Sequence, residues 1–521
     1  KNYKIIQLKG ISRVMTLDYK QTKEYCRRWW TLLAIAVSVL IIVLDTTIVN
    51  IALPTLQREL DATMSQLQWI SNAYILAFGA LMLTMGALGD RIGRKRMLQL
   101  GIILFALGSL VASFSHSAGQ LIGYRAIMGF AGAMIAPATL AIITNVFPRE
   151  ERGRAIGIWA GLNSIGIALG PIIGGLIIDN IGWKWIFLVN LPVAAVALIA
   201  GWFLIPESRD PHSRPIDVLG TILSAAGLGA LVFGLIQGDR WGWTDPGILA
   251  SLVGAAVLLG CFIFWENRTK YPMLDVSFFR HARFSAGVGA VSIMALAMMG
   301  VSFGLTLYMQ FVRDYTALQT GVRLIPLALG IFIGAGMADR VVSRFGTTLV
   351  IFLGFLGTAV MAVVTSFWEV ETAYWIIGLV LFGIAFFLGN IAAPAADAVM
   401  GALPEERAGI GSAMNSASRI VSGSLGIAVL GTALSSIYTS SFEKAASAFP
   451  GINPEIMKAA SDSVGAAVTI ADKLPAGAGD AFAMAASTSF MDGWQVMCYV
   501  TCGLCVIGAF VILKYMPSRH Q

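Results

Sequence analysis

The chain has 521 residues, of which 57% are hydrophobic and only 12% charged, with a net charge of +7 at neutral pH. Soluble domains carry about 25% charged residues, so a soluble protein of this size is excluded: it could not cover its surface. The apolar residues fall instead into blocks of about 20, enough to cross about 30 Å of hydrocarbon as a helix. A helix is required because each block must satisfy its own backbone hydrogen bonds.

The basic segment 1–28 comes first and is expected to lie against anionic lipid as a cytoplasmic tail. The first apolar block is too long for a secretory signal and lacks a cleavage site. Fourteen spans are predicted, beginning near Trp30, Leu67, Met97, Gly119, Arg154, Trp185, Asp217, Gly247, Phe284, Leu318, Thr347, Tyr374, Ala408 and Gly493. The last ends near Met516, and a short tail follows at 517–521. Two long connections, "PESRDPHSRP" (206–215) and "ENRTKYPMLDVSFFRHARF" (266–284), flank spans seven and eight. They divide the chain into a six-helix bundle (29–205), two inserted helices with linkers (206–283) and a second six-helix bundle (284–516). Within the last bundle lies a long loop, 438–492. Its apolar-periodic stretches predict one or two short helices folded over the outer mouth.

Connections on the side of the N-terminal tail hold roughly 16 Lys and Arg, and those on the other side roughly 7. This asymmetry places both termini of an all-α, multi-pass membrane protein in the cytoplasm; a bacterial cell membrane is the expected location. It also accounts for the positive charge. Nucleic-acid binding would need interleaved aromatics and an exposed basic face, and neither is present.

The first span contains "LDTTIVNIALPTL" (44–56). Asp45 lies about 22 Å from the inner end of that span, where a charge costs several kcal/mol. A buried carboxylate is a candidate proton carrier. Asn50, above it, is a candidate contact for solute. After the second span comes "GALGDRIGRKRM" (86–97). It lacks the order of a phosphate loop and sits between two spans, not between a strand and a helix. Gly86, Gly89 and Gly93 permit close helix approach. Asp90, Arg91 and Arg94 can make charge pairs that hold the inner face shut. A weaker echo, "GMADRVVSRFG" (336–346), follows span ten, as in transporter folds with repeated halves.

Span four, "LIGYRAIMGFAGAMIAPATLAII" (121–143), carries Arg125 at a depth similar to that of Asp45, so the two are expected to communicate. Span five carries "GLNSIGIALGPIIGGLI" (161–177), where Gly166, Gly170 and Gly174 leave one helix face bare and Pro171 bends the helix. Late in the chain, Arg419 lies deep in span 13 beside Asn415; both are candidate substrate-cavity residues, and a structural partner for backbone carbonyls is the alternative for Arg419. Trp69, Tyr74, Phe78, Tyr308 and Phe387 are candidate cavity-wall aromatics. Cys498, Cys502 and Cys505 share a helix face with no His nearby, which reads as small buried hydrophobes and not a metal site.

Four of these segments resemble signatures of the major facilitator superfamily, in its 14-helix drug:proton antiporter branch of multidrug exporters. "GALGDRIGRKR" is similar to the loop 2–3 signature, "LDTTIVNIALPTL" to the first-helix signature, and "YRAIMGFAGA" to the fourth-helix RxxxG signature. "GIALGPIIGG" is similar to the antiporter signature GxxxGPxxGG. The resemblance implies two six-helix bundles with two inserted helices and alternating access around a central cavity, driven by the proton gradient without a cofactor. It implies Asp45 as the proton site tuned by Arg125. It implies an inner latch at Gly89, Asp90, Arg91, Gly93 and Arg94, and an antiporter helix at Gly166, Gly170, Pro171, Gly174 and Gly175. The late helices lack the further acids of polycation exporters, so monocationic, neutral and anionic amphiphiles stay open as cargo.

The expected activity is proton-coupled efflux of small amphipathic compounds such as drugs, antiseptics and dyes, by a monomer that is not an enzyme. The alternatives are a dedicated exporter of one metabolite or self-made antibiotic, and a non-transporting membrane sensor.

Overall fold

The computed structural model describes residues 23–210, 215–403, 408–449, 452–475 and 477–516. Of the tail expected at 1–28, residues 1–22 lie outside the described residues and residues 23–28 form the first turns of α1; the tail expected at 517–521 also lies outside them. Fourteen helices are long and apolar enough to cross a membrane, and no strand occurs among the described residues. They are α1 Lys23–Leu60, α2 Met64–Ile92, α3 Arg94–Ser113, α4 Ala118–Val146 and α5 Arg149–Asn180. Next come α6 Trp185–Leu204, α7 Val218–Trp241, α8 Pro246–Glu266, α9 Ala282–Val312 and α10 Ala317–Phe345. The last four are α11 Thr347–Ser366, α12 Tyr374–Gly401, α13 Ala408–Ala446 and α14 Ala478–Tyr515.

Packing repeats between the first six and the last six helices. In the first set α1 packs on α5, α2 on α4, and α3 on α6; in the second, α9 packs on α13, α10 on α12, and α11 on α14. Helices α7 and α8 pack on each other, and α7 also leans on α2 and α13. The sequence echo has a structural counterpart in two glycine caps, Gly93 at φ 128° and Gly346 at φ 83°. Both lie in the left-handed region that favours glycine. The cap follows Asp90 by three residues but Asp339 by seven, so the second helix runs one turn longer before it stops.

The fourteenth span starts earlier than expected: α14 begins at Ala478, not near Gly493. The stretch 478–492 is Ala-rich, which favours helix, and its Phe482, Ala486 and Phe490 are fully buried. The long loop shrinks accordingly. It holds two short helices, Pro454–Asp462 and Val464–Ala471. They are fixed by bonds from Tyr438 Oη to the Ala460 carbonyl (2.7 Å) and from Thr439 Oγ1 to the Ser461 carbonyl (3.0 Å). Gly465 packs on Gln57 of α1 and Phe311 of α9, so the loop covers the end of the bundle opposite Lys23 and Tyr515, here called the far face.

The two halves meet toward that far face. Gly321 of α10 sits on the backbone of Pro171 in α5, and Gly175 of α5 sits on the backbone of Leu318. Asp179 accepts from the amides of Ala317 (3.3 Å) and Leu318 (3.0 Å), satisfying two orphan donors at the start of α10. Gln310 Nε2, in the π-helical turn Tyr308–Val312 that ends α9, donates to the Ile51 carbonyl of α1 at 2.8 Å. Ser424 of α13 bonds Asn72 of α2 at 2.8 Å. Toward the opposite, near face, Gly157 and Gly161 of α5 have nothing within 4 Å, and Leu329, Phe332 and Met337 of α10 are exposed. Helix α5 packs on residues 317–323 of α10 and hardly touches 325–345, so the halves are closed at the far face and splayed between these two helices at the near face.

Candidate functional site

Asp45 and Arg125 form a buried ion pair between α1 and α4, joining Oδ2 to Nη1. Both are 1% exposed, so neither is open to solvent. Arg125 also donates from Nε to the Ile70 carbonyl of α2 at 3.2 Å, and its guanidinium lies 4.3 Å from the centre of the Tyr74 ring. Such a cation–π contact contributes about 2 kcal/mol when desolvated. Gly129, four residues after Arg125, lies against the Tyr74 backbone with no room for a side chain. The Arg-x-x-x-Gly spacing thus brings α2 close enough for its carbonyl and ring to hold the arginine.

A third residue completes the site and is not legible in the sequence. Asn190 Nδ2 reaches Asp45 Oδ1 at 3.3 Å and Ser109 Oγ at 3.0 Å, and Ser109 in turn donates to the Phe187 carbonyl at 2.7 Å. Helix α6 is interrupted at Val189, between Trp185–Leu188 and Asn190–Leu204. That break puts Asn190 in a first helical turn, where Pro192 costs no hydrogen bond. The carboxylate of Asp45 is thereby held from α4 and α6 at once.

The glycines of α5 divide by partner. Gly166 faces Leu40 and Val43 of α1; Gly170 lies on Thr47; Gly174 lies on Ile48. These form the contact surface of the helix that carries Asp45. Gly175 and Pro171 face α10. Helix α5 therefore touches the Asp45 helix with one face and the far-face seam with another.

At the near face, Gly86 packs on Pro137 and Gly89 on Met97. Asp90 pairs with Arg94 at 2.8 Å, and Arg94 Nη1 donates to the Ala141 carbonyl at 3.2 Å. The segment after α6 clamps the turn: Arg94 N donates to the Ser208 carbonyl (3.0 Å), and Asp210 N donates to the Asp90 carbonyl (2.9 Å). Arg91 is exposed. These contacts join α2, α3, α4 and the segment after α6, and none of them reaches the last six helices.

The expected cavity wall needs correction at the aromatics. Tyr74 and Tyr308 are fully buried. Tyr74 lies under Arg125, and Tyr308 stacks on Trp494 with ring centres 5.4 Å apart. Trp69 packs with Phe233 of α7 (6.3 Å) in a cluster with Val232, Ile236 and Ala428. Asn50 and Asn415 are half-buried, while Arg419 is exposed. Cys498 and Cys505 are buried in apolar clusters.

The Major Facilitator Superfamily description matches residues 35–427. The chain is 33% identical over 492 residues to a tetracenomycin C resistance and export protein of Streptomyces glaucescens, covering 94% of this chain and 91% of that one. It is 32% identical to the methyl viologen resistance protein SmvA of Salmonella typhimurium, covering 89% and 93%. It is 30% identical to the multidrug efflux pump LfrA of Mycolicibacterium smegmatis, covering 94% and 97%. Among solved structures, a bacterial homologue of the human lysosomal transporter Spinster aligns with a TM-score of 0.63 at 18% identity, covering 96% of this chain and all of that one. A D-xylose-proton symporter aligns at 0.59 and 14%, covering 95% and 98%. With fourteen spans, repeated six-helix packing and these matches along most of its length, the chain belongs to the Major Facilitator Superfamily.

Proposed function

We propose that this multi-pass cell-membrane protein exports small amphipathic compounds by alternating access, in exchange for protons carried by Asp45. The compound class and direction rest on relatives named for resistance and export. Proton coupling rests on one observation, the enclosure of Asp45 with Arg125 as its counter-ion and Asn190 as its second donor.

An ionised carboxylate in this position is bound firmly, since leaving its buried partner uncompensated costs about 3–5 kcal/mol. Protonation removes the charge that Arg125 neutralises, so the pair loosens when a proton arrives. The surfaces that would carry this change are contiguous. Thr47 and Ile48, next to Asp45, bear on Gly170 and Gly174, and the same helix bears on α10 through Pro171 and Gly175. Loosening α1 against α4 would thus reach the far-face seam through α5. With both termini in the cytoplasm, the open near face is the cytoplasmic one, the state that loads cargo. Export of one dedicated compound is the second reading, favoured by the tetracenomycin C relative. The protein works as a monomer in this scheme, with no cofactor beyond the proton gradient.

The test is dye accumulation in bacteria stripped of their own pumps, comparing the native chain with Asp45→Asn. Efflux that depends on an imposed pH gradient should fall to the level of cells without the protein. Unchanged pH-driven efflux in the variant would remove Asp45 from the coupling.

A further inference from the structure

Asp45 and Arg125 neutralise each other and are shut off from solvent. Arg419 has neither protection. It lies eleven residues into α13, about 16 Å along the helix from Ala408. Its side chain is exposed, although the helix that carries it packs on both α2 and α9. An unpaired guanidinium at this depth is too costly to face lipid, so its exposed side is the wall of a water-filled cavity. No carboxylate among the described residues pairs with it.

Its neighbours fix its place. Ile420 and Val421 pack on Gly79 of α2, Gly423 packs on Met299 of α9, and Ser424 bonds Asn72 of α2. Helix α13 is wedged between α2 and α9 along this stretch. Arg419 stands at the near-face end of that seam. One turn nearer the open face, Asn415 has a buried side-chain oxygen with no donor. Ser418 and Ser422 flank the arginine and are half-buried. An uncompensated charge at this depth costs several kcal/mol, and such charges mark substrate paths. Guanidinium offers a planar fork of donors that matches a carboxylate.

We propose that Arg419 is the recognition point for an oxyanion, a carboxylate or ionised phenol, on an otherwise apolar substrate entering from the near face. The proposal rests on the exporter reading and narrows its cargo to acidic amphiphiles. The oxyanion sits on the guanidinium, its apolar body lies along the wall formed by α2, α9 and α13, and water leaves the arginine.

The experiment is equilibrium binding to the purified full-length chain in a neutral detergent, read by probe fluorescence. The probes are 9-anthracenecarboxylate and its methyl ester, which share one apolar body and differ in charge. The native chain should bind the acid at least tenfold more tightly than the ester. Arg419→Gln should remove that preference, weakening the acid about tenfold and leaving the ester within twofold, while Arg419→Lys keeps part of it. Equal affinities in the native chain, or an unchanged preference in Arg419→Gln, overturn the proposal. The acid-to-ester ratio in the native chain decides the matter even where a variant fails to fold. Binding needs no gradient, so its outcome is separate from that of pH-driven efflux: loss of efflux in the native chain would sink the exporter reading and leave the oxyanion site standing.

Discussion

Gly321 lies on the backbone of Pro171 so closely that a Cβ there would overlap the Pro171 carbonyl. This is a contact between halves at the far face, in the same seam as Gly175 on Leu318 and Asp179 on the start of α10. Overpacking of a tight contact costs about 1–3 kcal/mol, enough to shift a two-state equilibrium by about tenfold or more. Gly321→Leu should therefore hold the far face open. A single cysteine placed at the far-face end of α10 should become labelled by a membrane-impermeant maleimide about tenfold faster. Gly161→Leu, at a glycine with nothing within 4 Å, serves as the control and should not change labelling. Equal labelling in both would mean that this contact does not seal the far face.

Asn190 and Asp45 should act as one unit. Asn190 donates to the carboxylate, and a hydrogen bond to a charged group is worth about 1.5–3 kcal/mol. Asn190→Ala should slow pH-driven efflux about tenfold in the native background. In the Asp45→Asn background the same substitution should have little further effect, because groups sharing a network are not additive. Additive losses in the double variant would assign Asn190 a role in packing α6, apart from the proton site.

The sequence made Asp45 and Arg125 conspicuous because ionised residues inside apolar runs have no inexpensive explanation in a bilayer. It did not expose Asn190, an uncharged residue in the apolar stretch after Trp185, whose importance comes from a helix break at Val189. Asp179 reads as a surface acid until α10 is seen to begin on its carboxylate. The aromatics show a second limit. A helix apolar all round presents no polar stripe to say which side faces protein, lipid or cavity, so Tyr74 and Tyr308 read as wall residues when both are buried. Span count survived these limits because the bilayer admits one solution for each long apolar block. The start of α14 did not, since its first fifteen residues are too mixed in polarity to signal a span, although Ala favours helix.

Gly93 offers a stability test at the near face. Its φ of 128° is strained for any residue with a Cβ, and a Cβ would also meet Glu207 Oε1 at 2.6 Å. Gly93→Ala should destabilise the chain by about 1–3 kcal/mol, through backbone strain and crowding. Thermal unfolding in detergent should show a fall of a few degrees, against no change for Gly119→Ala, which has open space around it. Adding Glu207→Ala should recover the crowding part and leave the backbone part. Full recovery would show that φ contributes nothing.

The far-face loop should respond to acid through Asp462. Burial pushes its carboxyl above the usual range, Asp239 adds to the rise, and Arg240 and Lys458 oppose it. Ser435 and Ser436 both donate to Asp239, which keeps that second carboxylate in place. The docked loop therefore binds its proton more tightly than an undocked one, in which Asp462 has its ordinary value. Docking is favoured by the full amount below that ordinary value, and the gain is lost as pH rises through the docked value. Amide exchange over 454–471, corrected for intrinsic rates, should slow as the pH falls from neutral toward 4. Asp462→Asn removes the titrating group, so its exchange, corrected for intrinsic rates, should be slow throughout and flat with pH. Exchange in the native chain that accelerates on acidification would reverse the sign and place the controlling charge elsewhere in the loop.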